Sequence, residues 1–178
     1  MIDASAPFAS PLYFGLLSLL LIARGADFIS TWIATPGMVL EGNPIARKLG
    51  WRWGTVVNFV FCITLAAWPF AAVTVATTSV LVAARNLQSA WLMRTLGEEE
   101  YRDWHVHHIR RTPQLLYLFC LFGQVALIGA VGGALVVFPS ESVIVLPIGV
   151  GIVAYAMAIL VYTLLAYWRI RRASDAFG

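Results

Sequence analysis

Three ionisable side chains stand inside apolar stretches that would be expected to hold none: Arg24, Asp27 and Arg85. Arg24 and Asp27 are three residues apart, so on a helix they share a face. Thr31 follows one turn later, and then "EGNP", Glu41 to Pro44. A carboxylate among apolar residues can move a proton or ligate a cation, and an arginine can clamp an anion. Asp27 and Glu41 are therefore the candidate catalytic groups, as acid, base or ligands to a divalent metal ion. Arg24 and Arg85 are candidate anion clamps. Asn43, Asn58 and Asn86 are amides that could orient a ligand. A second candidate metal site is His105 and His108, whose spacing can set two imidazoles on one ion. Plainer readings exist for each. Arg24, Asp27 and Arg85 could form a network that only fixes helix packing, "EGNP" could be a turn, and the histidines could touch headgroups and water.

The elements that position these residues are spans of a membrane. The chain has 178 residues, 60% hydrophobic and only 12% charged, where a soluble domain carries about 25% charge. Its apolar runs are about 20 residues long, enough to cross a hydrocarbon core of roughly 30 Å. The expected fold is all-α, a single integral membrane domain over 1–178 with five spans at about 11–34, 53–69, 71–94, 114–138 and 142–168. A break at Trp68 to Phe70 separates the second and third, because proline discourages continuation. The first apolar run has no positive region before it and no small-residue cleavage pattern after it, so it reads as a retained helix. Cys62 and Cys120 fall inside spans and read as packing residues.

Basic residues orient the bundle. With the N-terminus outside, Arg47, Lys48, Arg52, Arg94, Arg102, Arg110, Arg111, Arg169, Arg171 and Arg172 all lie at the inner side. That one-sidedness follows the positive-inside rule and points to the bacterial inner membrane. It also explains the pI near 9.1 without nucleic acid. Residues 96–113, "LGEEEYRDWHVHHIRRTP", read as an amphipathic helix on the inner leaflet, with Tyr101, Trp104 and His108 on one stripe and Glu98 paired with Arg102. Gly129 and Gly133 have the G-x-x-x-G spacing that admits a neighbouring helix, from another subunit or a second copy of the chain. Arg24 and Arg85 fall at similar depth, so Arg85 is expected to face Arg24 and Asp27, together with Asn58 and Asn86. No P-loop, dinucleotide fingerprint or nucleophile–base pair is present.

Asp27, Thr31, Glu41, Asn43 and Pro44 resemble the pattern of a small family of bacterial and archaeal membrane proteins without an assigned activity, over about the first 65 residues. The resemblance implies that the Asp-to-Pro element is a unit. Leu92, Gly97, Glu100, Tyr101, Arg111 and Pro113 are more distantly similar to a string in the isoprenylcysteine carboxyl methyltransferases, which would imply methyl transfer. The glutamate that string requires near Ser89 is missing, and two further spans follow. The expectation is a polar, cytoplasm-facing intramembrane site formed by spans one to three that binds a small or lipid-like ligand or a metal ion, with enzyme activity possible. The alternative is an accessory subunit of a larger membrane complex.

Overall fold

The computed structural model describes residues 5–41, 44–138 and 142–175. Every regular element among them is a helix: α1 Pro11–Ala34, α2 Pro44–Leu65, α3 Pro69–Leu96, α4 Glu98–Arg111, α5 Gln114–Val137 and α6 Val145–Asp175. Proline opens α1, α2 and α3, where its missing N–H is no loss. Ser10 caps α1 by accepting from the Tyr13 amide at 3.1 Å. Gly97, at φ 87°, lets the chain turn between α3 and α4.

Among the described residues, four helices, α1, α3, α5 and α6, are long and apolar enough to cross a membrane, which makes the chain a multi-pass membrane protein by composition and length. Five spans were expected, and α2 is the one that falls short. Gly50, at φ 65° and ψ −176°, breaks it, so its straight part is residues 51–65, about 22 Å at 1.5 Å per residue. It ends at Leu65, with residues 66–68 forming the turn that the sequence placed slightly later.

The packing register is set by named contacts. α1 and α3 run side by side in the same direction. Ala6 donates to the Ala67 carbonyl at one end (2.8 Å), Arg24 reaches Ser79 further along (3.3 Å), and Thr35 donates to Glu98 at the other end (2.6 Å). α2 returns antiparallel to α1: Trp51 donates to the Pro36 carbonyl and the Tyr13 hydroxyl to that of Ile63. α6 lies parallel to α3, with Thr74 donating to Pro147 and Thr78 to Gly151. α5 packs antiparallel on α6. The result is a row, α1–α3–α6–α5, with α2 laid on α1 and α3. The chain exposes 11,323 Å², against about 8,500 Å² for a compact soluble protein of its mass. Much of the excess is side chains such as Ile22, Phe119 and Leu127, all more than 70% exposed, which suits lipid and not water.

Small residues let the row close up. α3 turns Ala72, Ala76, Ser79, Ala83 and Ala90 inward. A Cβ on Gly132 would stand 2.9 Å from the Gly149 carbonyl, and one on Gly151 would stand 2.7 Å from that of Thr74. The expected pair, Gly129 and Gly133, is not at this crossing, since nothing lies within 4 Å of either. Each helical residue turns about 100°, so Gly133 is swung away from the face that Gly132 presents. Cys62 is buried, Cys120 is exposed, and both are free.

Candidate functional site

Polar side chains gather where α1, α2 and α3 meet. Arg24 donates through Nε to Asn58 Oδ1 at 2.9 Å, and through Nη1 to Asp27 Oδ2 at 3.0 Å and Ser79 Oγ at 3.3 Å. Its Nη2 also donates to Asn58 Oδ1. Asn58 is held in turn by its own amide nitrogen, which donates to the Gly54 carbonyl (2.9 Å). The Arg24 and Asp27 side chains are 28% and 18% exposed. One turn on, Ser30 and Thr31 donate to the Asp27 carbonyl, at 2.8 and 2.9 Å. Their hydroxyl oxygens accept from Asn86 of α3, at 3.3 and 3.0 Å. Ser and Thr on a helix can bond back to the preceding turn, and here that leaves a lone pair for Asn86.

Of the residues expected to form a site, Arg24, Asp27, Asn58 and Asn86 are thus brought together. Glu41 stands on the loop after α1, within electrostatic reach of Asp27, so two carboxylates share this end of the cluster. Asn43 lies outside the described residues. Pro36 and Phe28 seat Trp51, whose ring meets Phe28 edge-on at 5.0 Å between centroids, and this fixes the loop's return into α2.

Arg85 is not in this cluster, contrary to expectation. It lines a cavity on the other side of α3, with Gln88, with Gln124 of α5 and with Tyr155 of α6. Depth alone had suggested the pairing with Asp27, but angle decides it. Ser79 and Asn86 point at α1, and Arg85, one residue before Asn86, is turned about 100° from it. The spacing of Ala72, Ala76, Ser79, Ala83 and Ala90 was the signal that could have given the angle. A third space, an apolar groove of about 950 Å³ among α1, α3 and α6, has Thr77 as its one polar lining residue.

Glu98 is a site residue that the sequence did not reveal. Expected to pair with Arg102, it instead reaches the loop after α1. It accepts from the Thr35 hydroxyl (2.6 Å), the Gly37 amide (2.5 Å) and the Val39 amide (2.9 Å). Gly37 suits this contact, because a Cβ there would stand 3.0 Å from the carboxylate. Arg102 meets its neighbour Asp103 at 3.3 Å. Partial burial pushes the Glu98 carboxyl up, but the three hydrogen bonds and the Arg94 charge outweigh it and hold the group below the usual range.

On α4, Tyr101, Trp104, His105 and His108 form an aromatic ladder, as the stripe suggested. His108 Nδ1 lies 2.8 Å from the Trp104 carbonyl, which leaves Nε2 for any other partner. Burial, with the nearby His108 charge, lowers the His105 pKa and keeps the imidazole neutral over a wider range. Burial raises the Tyr101 hydroxyl. Among the described residues, no three His, Cys, Asp or Glu side chains converge to hold a metal ion. His105 and His108 therefore stand as two imidazoles without a third such ligand.

The chain matches no family model, no curated protein and no solved structure. The cluster's chemistry therefore has to be argued from its own geometry.

Proposed function

We propose that this chain is an inner-membrane protein whose α1–α2–α3 half holds a polar site, open to the cytoplasm, for a small or lipid-like ligand or a cation. One observation carries the reading. Asp27 already has a counter-ion in Arg24, yet a second carboxylate, Glu41, stands within its field. One carboxylate is enough to balance Arg24 in a packing device, and a second within the field of the first is more than that role requires. Two carboxylates within each other's field favour a proton, a cation or a donor-rich ligand nearby. Asp27 and Glu41 are the candidate acid–base or metal-ligating pair, with Arg24 and Asn58 fixing the orientation of Asp27.

Five crossings, N-terminus outside, support this placement. α1 and α3 run parallel with both their ends joined, so α2 has to travel back along their length. Its short straight part is flanked by Trp51, Trp53 and Trp68, aromatics suited to an interface, and local thinning of the bilayer accommodates a short span. α4 then lies at the inner leaflet with its ladder of aromatics and its basic residues. Leu40→Cys in a cysteine-free background should react with a membrane-impermeant thiol reagent only from the cytoplasmic side.

The accessory-subunit reading is favoured by a different observation, that every nitrogen of the Arg24 guanidinium is bonded within the fold. In that case Gly129 and Gly133 offer the open face for another subunit or a second copy. Elemental analysis and native mass spectrometry of the wild type beside Asp27→Asn and Glu41→Gln separate the two. A stoichiometric cation or small molecule lost in both variants supports the site. A bare wild type, indistinguishable from its variants, leaves packing as the role of the cluster.

A further inference from the structure

Three buried side-chain atoms among the described residues lack a hydrogen-bond partner: Arg85 Nη1, Tyr167 Oη and Arg171 Nε. Each can donate, and all three belong to the α3–α5–α6 side of the row. They are linked through Tyr117 and Tyr167. Tyr117 lies within electrostatic reach of both Arg85 and Tyr167. It stacks on Tyr167 at 4.8 Å, and the Arg171 guanidinium covers the Tyr167 ring at 5.3 Å. Buried polar groups are nearly always satisfied. A region that gathers unmet donors, with Arg85 unpaired by any carboxylate among the described residues, calls for an acceptor from outside the chain.

The cavity beside Arg85 measures about 590 Å³, and its polar lining residues are Arg85, Gln88, Gln124 and Tyr155. The register of the helices gives their order along it. Thr78 pairs with Gly151 between α3 and α6, and Tyr117 with Tyr167 between α5 and α6. Carried along these helices, Gln124 comes level with Arg85 and Gln88. Val131 and Ile152 come level with Leu81 or nearer the α3 N-terminus. Arg85, Gln88 and Gln124 therefore sit toward the α3 C-terminus and Leu81, Val131 and Ile152 toward its N-terminus, with Tyr155 between them.

We propose that this cavity binds an amphiphile with a phosphate head, the head on Arg85, Gln88 and Gln124 and the chain along Leu81, Val131 and Ile152. The planar fork of arginine matches phosphate oxygens, and donors arriving from two helices suit a head with more than two acceptor oxygens. The site is separate from the Asp27–Glu41 cluster and does not depend on its reading. The same head chemistry occurs in a bilayer phospholipid and in a soluble phosphate compound, and the aliphatic end matches the former.

The test uses the full chain, purified in uncharged detergent, stripped of lipid, and followed by thermal unfolding. The probes are phosphatidylglycerol, uncharged diacylglycerol and inorganic phosphate. Phosphatidylglycerol should raise the midpoint, diacylglycerol should not, and Arg85→Gln should weaken the apparent affinity at least about tenfold, as expected for a lost charge-assisted bond. Gln124→Leu, which changes no charge, should weaken it less, and it carries the test if Arg85→Gln does not fold. Asp27→Asn should keep the full response, which keeps failure here distinct from failure of the Asp27–Glu41 site. Stabilisation by inorganic phosphate that is lost in Arg85→Gln supports the site with a soluble phosphate compound as its ligand. No response from the wild type to phosphatidylglycerol or phosphate, or a response from Arg85→Gln and Gln124→Leu equal to that of the wild type, overturns the proposal.

Discussion

Arg24 and Arg85 sit midway along parallel helices in contact with each other, and the protein treats them in opposite ways. Arg24 has a carboxylate, an amide and a hydroxyl on its donors. Arg85 has a buried Nη1 with nothing on it and a cavity in front of it. A charge in a bilayer is expensive wherever it stands, so the difference lies in how that expense is met. Around Arg24 the fold supplies every partner from three helices, and the gain is a fixed arrangement of α1, α2 and α3. Around Arg85 the fold supplies amides and an open volume but, among the described residues, no counter-charge. A satisfied buried charge specifies packing, whereas an unsatisfied one marks a place for something else.

The largest expected effect tests the satisfied half. Asp27→Ala leaves Arg24 with neutral partners only, and loss of one member of a largely buried pair should cost about 3 kcal/mol. Glu41→Ala, on the half-exposed loop, should cost less than about 1 kcal/mol. Chemical denaturation in detergent measures both, and equal losses would break the contrast between a bonded network and a peripheral carboxylate. Next in size come the glycines that hold the other half together. Gly151→Ala or Gly132→Ala drives a Cβ to within 3 Å of neighbouring backbone, an overpacking that should cost about 1–3 kcal/mol. Gly129→Ala, with open space around it, should shift stability by less than about 0.5 kcal/mol. If Gly129→Ala instead alters the oligomeric state on size exclusion, its face is used between copies.

The two arginines also mark where sequence reasoning stops. Helix ends were legible because proline and the length of apolar runs fix them: α1 was expected at 11–34 and is found there. Position along the helix pair was legible only coarsely, since Ser79 is level with Arg24 and Asn86 with Ser30 and Thr31, which sets Arg85 beyond Arg24. Angle around the helix was not used, so Arg85 was turned toward Asp27 when its neighbour Asn86 is the one that faces α1. The small residues of α3 carried that angle, but only once α1 was known to be their partner. Glu98 was out of reach for a different reason. Its bonds to Thr35, Gly37 and Val39 join residues about 60 apart in sequence, and no local pattern encodes that contact. The second span illustrates a third case: it was drawn to residue 69, up to the proline, but the helix ends at Leu65 and residues 66–68 make the turn.

A smaller effect with the opposite sign sharpens the comparison. In lipid-free detergent, Arg85→Gln removes an unpaired buried charge and should leave stability unchanged or raise it by about 1 kcal/mol, whereas Arg24→Gln should lower it. Destabilisation of both variants to the same extent would mean that Arg85 has partners as good as those of Arg24, and the two halves would no longer differ.

The smallest effect concerns the contact at the C-terminal ends of α1 and α3. The Glu98 carboxyl is held below the usual range by the amides and hydroxyl it accepts from and by Arg94. A group with a depressed folded pKa stabilises the fold above its unfolded pKa, and that contribution is lost as pH falls through the folded value. The clamp on residues 35–39 should therefore be complete at neutral pH and should loosen only below the ordinary glutamate range. Because Glu98 is half-exposed, water competes for its bonds and the contribution should be no more than about 1 kcal/mol. Hydrogen exchange of a peptide covering 35–41, corrected for intrinsic rates, should show protection that falls with acid in the wild type and is low and nearly pH-independent in Glu98→Gln. The same acid dependence in both proteins would mean that Glu98 is not the group whose protonation loosens residues 35–39.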